Sequence, residues 1–318
     1  MRIVLTGSSS GIGRALTERL LAHGHLVWGL ARSDQSEFVS GRPGAFFASR
    51  CDVADWSQMS AVAREVLAAW PEIDGLVTCA GVQGAVGRTV TIDPALWNAT
   101  VRANLDGTFH AIRAFHDALR RSPLRAKIVC FSGGGATRPR PNFSAYGAAK
   151  TAVVRLVETI AEEERDSLLD INAIAPGAIN TRMTDEVVAL GPGVAGPAEY
   201  QAALRQKEAG GASLDRALDL VEWLLSPASD GISGRLISAQ WDDWTALARR
   251  KDELAASDIC TLRRISPDER DRRSSCPTLP PTVGTRRNLA CVSPGHPASG
   301  CGGRLSGGDT SCPAIRSN

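Results

Sequence analysis

No stretch of the 318 residues reaches the roughly 18 consecutive apolar positions that a membrane-spanning helix needs. The formal net charge is only +2, and no Lys/Arg stripe alternates with aromatics, so the electrostatic footprint of a nucleic-acid binder is missing. The eight cysteines include no C-x₂-C pair. Cys260, Cys276, Cys291, Cys301 and Cys312 lie far apart, which argues against zinc, and no metal is expected. Cys51, Cys79 and Cys130 each sit near the end of an apolar run, where a small buried hydrophobe is the expected role. The opening residues, MRIVLTGSSS, begin a strand almost at once and leave no room for a signal peptide, so the expected location is cytoplasmic. What remains is an enzyme or binding protein for a small molecule.

Short apolar runs bounded by turn residues alternate with longer segments at helical spacing. Strands are expected at Arg2–Thr6, His25–Leu30, Phe46–Cys51, Gly75–Cys79, Lys127–Phe131, Asp170–Ala175 and Arg235–Ser238. Helices are expected over Ile12–His23, Asp55–Trp70, Pro94–Arg121, Phe143–Glu164 and Leu214–Leu225. This rhythm predicts an α/β fold: a single-domain, Rossmann-like doubly wound structure with a seven-stranded parallel sheet and helices on both faces. Such folds bind ligands beyond the carboxyl ends of their strands. Arg182–Ala212, rich in Gly, Pro and Ala, reads as a long functional loop on that side. The organisation expected is a catalytic domain over 1–240, a C-terminal extension over 241–273 near the substrate cleft, and a disordered tail over 274–318. The tail is dominated by Pro, Gly and Ser and has no aromatic residue.

Three groups of residues carry chemistry. Thr6-Gly7-Ser8-Ser9-Ser10-Gly11-Ile12-Gly13 joins the first strand to the first helix. Glycines there let the backbone approach a pyrophosphate, and the helix N-terminus supplies free N–H groups and a favourable dipole. At the end of the second strand the acid that would accept ribose hydroxyls is missing, and Arg32 stands there instead. A guanidinium suits a 2′-phosphate, which favours NADP(H); Asp34 reaching the ribose would permit NAD(H). Tyr146 and Lys150, four apart at the start of a helix, share one face. A neighbouring ammonium favours the phenolate and would lower the tyrosine pKa towards neutrality.

With these motifs in this order, residues 1–240 resemble the short-chain dehydrogenase/reductase family in its single-domain form. The resemblance implies that Tyr146 is the general acid/base and that Lys150 binds the nicotinamide ribose. It implies that Asn104 kinks its helix and supports a water-linked proton relay. Nucleotide contacts are implied at Gly7, Ser9, Ser10, Gly11, Ile12, Gly13, Arg32, Asp52, Val53, Ala80, Gly81, Pro176, Gly177, Ile179 and Thr181. A homodimer or homotetramer is implied, built on Pro94–Arg121 and Phe143–Glu164. The sequence departs from the family in having Cys79-Ala80-Gly81 where Asn-Ala-Gly is usual. It also has Gly133 where the catalytic serine usually lies, 13 residues before the tyrosine. Ser132, one residue earlier, would face the wrong way in a regular strand, but a bulge at the following glycines would re-aim it, and it is expected to orient the substrate. Ser144 is the alternative. A subset of the family carries Pro-Asn-Phe-Ser-Ala-Tyr and a Trp-rich C-terminus, matched by Pro141–Tyr146 and Trp241–Trp244. Trp241 and Trp244 would stack on a sugar-like or aromatic substrate or pack against the domain edge. The expected reaction interconverts a carbonyl and a secondary alcohol by hydride transfer. The competing readings are a sugar epimerase with bound NAD(P) and a catalytically silent NADP-binding sensor.

Overall fold

Apolar runs too short for helices become strands of one parallel sheet in the computed structural model, which describes residues 1–266 and Glu269. The first half runs β1 (Arg2–Thr6), α1 (Gly11–Ala22), β2 (Leu26–Ala31), α2 (Ser36–Ser40), β3 (Phe46–Arg50), α3 (Trp56–Ala69) and β4 (Gly75–Thr78). Next come α4 (Pro94–Val101), a π turn (Arg102–Asp106), α5 (Gly107–Arg120), β5 (Ala126–Phe131), α6 (Ser144–Glu163) and β6 (Leu169–Ala175). The chain continues through α7 (Arg182–Ala195), α8 (Pro197–Glu208), α9 (Leu214–Leu225), β7 (Leu236–Ser238), α10 (Trp244–Leu247) and α11 (Lys251–Ala255). The strand order is β3-β2-β1-β4-β5-β6-β7, with every neighbouring pair parallel. The order reverses between β1 and β4, and that opens a crevice at their carboxyl ends.

The two-residue period of the strands divides the core. Val4, Ile128 and Cys130 join the layer formed with α3, α5 and α6. Their neighbours Ile3, Leu5, Val129 and Phe131 join the layer formed with α1 and α9. A sheet covered on both faces therefore needs apolar residues at every position, which is why its central strands read as unbroken apolar runs. Helix starts follow local chemistry. Asp55 and Asp93 accept hydrogen bonds from the second and third residues of α3 and α4, and Pro94 occupies the first position of α4.

Three expectations change. Pro94–Arg121 is not one regular helix, because the π turn centred on Asn104 separates α4 from α5. Arg182–Ala212 is not a loop: α7 and α8 form a helical pair, tied by Lys207 to Asp185 (2.6 Å) and Gln206 Nε2 to Thr184 Oγ1 (3.0 Å). Its Gly and Pro residues mark bends within that pair, at Gly191 (φ 69°) and Pro192, rather than an absence of structure.

The described part of the C-terminal extension does not line the cleft, whose lining residues among the described residues all precede position 187. Trp244 packs 5.7 Å from Trp223 of α9, and Leu247 and Leu254 enter the layer shared with α1. The Arg235 guanidinium holds this segment by donating to the carbonyls of Ser257 (3.0 Å), Ile259 (2.8 Å) and Leu254. Trp241 is exposed. The tail expected over 274–318 lies outside the described residues.

Candidate active site

The glycine turn between β1 and α1 is built by close approach. Gly7 has φ +79°, and a Cβ there would lie 2.8 Å from the Ala80 backbone. At Gly13 a Cβ would come within 2.2 Å of the Gly7 carbonyl oxygen, so a side chain would push helix and turn apart. The Ser10 side chain makes no capping hydrogen bond, which leaves the first N–H groups of α1 facing the crevice. A cleft of about 360 Å³ runs from this turn towards Tyr146 and Lys150. Ser9, Ser10, Gly11 and Ile12 line it at one end together with Gly7 and Gly13. Arg32, Asp52 and Val53 line the side formed by β2 and β3; Ala80, Gly81, Pro176 and Thr181 line the remainder.

Two expected nucleotide contacts fall elsewhere. Ile179 is buried in the layer shared with α1, and Gly177 is a turn residue whose Cβ would lie 2.5 Å from Gln240 Cγ. Neither lines the cleft.

Tyr146 and Lys150 are both buried on one face of α6 and both line the cleft. Burial, not the lysine, governs the tyrosine. Desolvation raises its pKa, and the charge that opposes this is the Arg140 guanidinium. Lys150 is itself pushed down to about 8 by burial. Its Nζ lies 5.7 Å from the centre of the tyrosine ring and donates to the Phe131 carbonyl at 2.9 Å. The lowering of the tyrosine pKa expected from Lys150 is outweighed by burial, with the Arg140 charge opposing that rise. Arg140 is fixed by Glu199 (2.8 Å) and by stacking over Phe143 (3.8 Å).

Asn104 is fully buried on the π turn, and its amide is committed to protein partners. Nδ2 donates to the carbonyls of Val82 (3.0 Å) and Thr100 (2.9 Å), while Oδ1 accepts from Val82 N–H (3.3 Å). The side chain thus clamps the loop after β4 instead of presenting a free group to water. It also forces a glycine at position 81, where a Cβ would lie 2.8 Å from Asn104 Oδ1.

The expected bulge at Ser132 does not form. Ser132 N–H continues the β5–β6 ladder to the Ile174 carbonyl at 2.9 Å. Strand alternation holds, and the serine hydroxyl turns to the Lys150 carbonyl at 3.1 Å. Gly133 occupies the place facing the tyrosine, since a Cβ there would lie 2.7 Å from Tyr146 Oη. Ser144 accepts a hydrogen bond from Trp97 Nε1 at 3.2 Å. Ser132 lines the same cleft as Tyr146, but its hydroxyl is engaged by the Lys150 carbonyl rather than turned to the tyrosine, so this geometry does not support the expected substrate-orienting role.

Comparison with known proteins bears on the family and the fold. The family model described as "short chain dehydrogenase" matches residues 1–190. The chain belongs to the short-chain dehydrogenase/reductase family. A short chain dehydrogenase of Monascus purpureus is 28% identical over 275 residues, covering 83% of this chain and 88% of its own. The levodione reductase of Leifsonia aquatica is 31% identical over 190 residues, covering 58% of this chain and 71% of its own. The ligand-free aldohexose dehydrogenase of Thermoplasma acidophilum superposes with a TM-score of 0.65 at 23% identity, covering 83% of this chain and 97% of its own. That last likeness is one of fold. The chain is accordingly an oxidoreductase of a family that uses NAD(P)(H), and no helix among its described residues is long and apolar enough to cross a membrane.

Within this family member, sequence reasoning missed Arg140 and Gln83. Arg140 lies in the Arg- and Pro-rich stretch before α6 and carries no motif. Gln83 is a lone polar side chain in the loop Ala80–Ala85, and its place at the carboxyl end of a strand was the only signal. Arg182, Met183 and Glu186 at the start of α7 also line the cleft, which puts part of the expected specificity segment at the site.

Proposed function

We propose that this oxidoreductase uses NADP(H) to interconvert a carbonyl and a secondary alcohol, with Tyr146 as the general acid/base. The observation carrying the proposal is one continuous cleft that joins the glycine turn to the buried Tyr146–Lys150 pair. The residues fit the nucleotide. Gly7 and Gly13 are placed where side chains would collide with backbone, and the uncapped start of α1 suits a diphosphate. Arg32 lines the cleft with no hydrogen bond or ion pair among the described residues. Asp34 accepts from Ser36 N–H (3.0 Å) and Ser36 Oγ (2.8 Å), which keeps its carboxylate within its own turn. That division of labour supports a 2′-phosphate at Arg32 over ribose hydroxyls at Asp34.

When bound, the dinucleotide supplies or accepts the hydride. In the reductive direction Tyr146 Oη gives its proton to the carbonyl oxygen as charge develops there. The raised pKa keeps the hydroxyl protonated and ready to donate. Lys150, held by the Phe131 carbonyl, orients the ribose beside it. Leu96 on α4 and Phe109 on α5 are exposed apolar side chains, which supports a homodimer or homotetramer through those helices; light scattering tests it.

The principal test uses protein stripped of nucleotide. NADPH fluorescence should change saturably on titration. Excess NADPH should then be consumed with at least one member of a panel of levodione, simple ketones and aldohexoses, or NADP⁺ reduced with at least one polyol. Replacing Tyr146 by Phe should lower turnover by about 10²-fold or more without loss of nucleotide affinity. Full turnover by Y146F sinks the mechanism.

A further inference from the structure

Gly133 leaves the tyrosine without a hydroxyl beside it, and the nearest serine, Ser132, is bonded to the Lys150 carbonyl. A carbonyl being reduced gains negative charge on oxygen, and a single donor stabilises it less than two. The structure contains a second donor of the right kind. Gln83 is 5% exposed, lines the same cleft as Tyr146, and its Nε2 is shielded from solvent with no hydrogen-bond partner. Buried amide N–H groups are almost always paired, because an unmade bond costs stability. Nε2 points away from the open cleft that Gln83 lines, and a turn of the amide about its last side-chain bond exchanges this orphaned place for an acceptor bound in the cleft.

The loop that carries Gln83 is held from both sides. Asn104 clamps the preceding peptide at Val82. Beyond it, Gly84 (φ +66°) packs so tightly that a Cβ would lie 2.1 Å from Thr100 Oγ1, and Ala85 N–H donates to that same oxygen at 2.8 Å. A donor on so fixed a loop loses little further freedom on binding. Other polar groups nearby are spoken for: Ser144 accepts from Trp97, and Arg140 is paired with Glu199.

We propose that Gln83 Nε2–H donates a hydrogen bond to the substrate oxygen that Tyr146 protonates, taking the task left open at Gly133. The inference rests on the oxidoreductase reading above. It makes Asn104 a positioning residue for this loop and Gln83 a catalytic residue. It selects substrates whose reacting oxygen accepts from the tyrosine and the amide at once.

The test compares wild type, Gln83→Leu and Gln83→Glu in full-length protein, using whichever carbonyl of the panel the wild type reduces. Gln83→Leu should fold with undiminished thermal stability, since it removes an unpaired donor, and should bind NADPH as wild type does. Its kcat/KM should fall about 10²-fold, mainly in kcat. Gln83→Glu should be active only while its carboxyl is protonated and able to donate, so its rate should fall as pH rises through a limb that wild type lacks. A purely structural glutamine gives no such limb. A kcat/KM for Gln83→Leu within roughly threefold of wild type overturns the inference alone. A loss confined to NADPH affinity also overturns it, by assigning the amide to the nucleotide. Wild type that binds NADPH yet reduces nothing overturns the oxidoreductase reading of this cleft, and the inference with it.

Discussion

Replacing Ser132 by Ala separates two accounts of the site that the sequence left entangled. If Ser132 oriented the substrate, its loss would remove a donor to the developing oxyanion, a change on the order of 10²- to 10³-fold in kcat. The structure predicts something else. The hydroxyl is buried and donates to the Lys150 carbonyl at 3.1 Å, a residue inside α6 whose carbonyl already belongs to the helical ladder. Losing one neutral buried hydrogen bond of this kind costs about 1 kcal/mol. For a domain of this size that lowers Tm by about 2–4 °C. Thermal unfolding and steady-state NADPH consumption on one batch of protein measure both quantities. The expected result is a small Tm loss with kcat within roughly threefold of wild type, a margin set by slight movement of Lys150. A kcat loss of 10²-fold at unchanged Tm would refute the reasoning and place the hydroxyl on the substrate.

Arg32→Gln should raise the Kd for NADPH by about tenfold or more and leave that for NADH nearly unchanged, by fluorescence titration; equal losses for both would remove the 2′-phosphate from Arg32. Lys150 makes a pH prediction for the nucleotide-free protein. Its pKa falls from 10.5 unfolded to about 8 folded because burial disfavours the charge. Between those values the unfolded state binds more protons, so the cost of burying the ammonium is full below about 8 and fades towards 10.5. Measured against Lys150→Met in urea, wild type should gain up to ~3 kcal/mol across that window, and a flat difference would contradict the assigned burial. Arg235→Met should cost about 3 kcal/mol and open the segment after β7 to proteolysis, because three carbonyls lose one shared cation. Unchanged protease resistance would show that Trp244 and Leu254 hold the segment unaided.

The sheet was legible because its signal is compositional and local: strands buried on both faces must be apolar throughout, and each was bounded by turn residues. The glycine turn was legible because only glycine satisfies the 2.2 Å approach at position 13. Less could be read where a tertiary fact decides. Arg182–Ala212 looked like a loop because Gly191 and Pro192 sit within it, yet packing of Val187, Ala195 and Ala203 against Phe143 holds two helices there. Whether a lysine four residues away lowers a tyrosine pKa depends on how far burial acts on each, and spacing is silent about that. The choice between a bulge and a regular strand at Ser132 followed from its N–H reaching Ile174, a partner 42 positions along the chain. Gln83 carried no pattern; its significance lies in an amide left without a partner once the loop is folded.

The departure at Cys79 shows how the same site is kept with different parts. Cysteine cannot form the hydrogen bonds of the asparagine usual there, and burial pushes its thiol up to about 12, so it stays neutral and acts as volume. A Cβ at Gly13 would lie 3.5 Å from Cys79 Sγ, which places the sulfur against the glycine turn as filler. Polar support for the next residues comes from two other directions. Thr6 Oγ1 at the end of β1 accepts from Ala80 N–H at 3.2 Å, and Asn104 on the π turn holds both polar groups of Val82. The loop is therefore anchored at positions 80 and 82, on either side of Gly81, whose lack of a side chain admits Asn104 and Lys150 together. Losing the asparagine at 79 removes one route of support while the geometry that lines the cleft is fixed by others. The cost is carried by Thr6 and Asn104, and neither can be exchanged for an apolar residue without freeing the loop that presents Gln83.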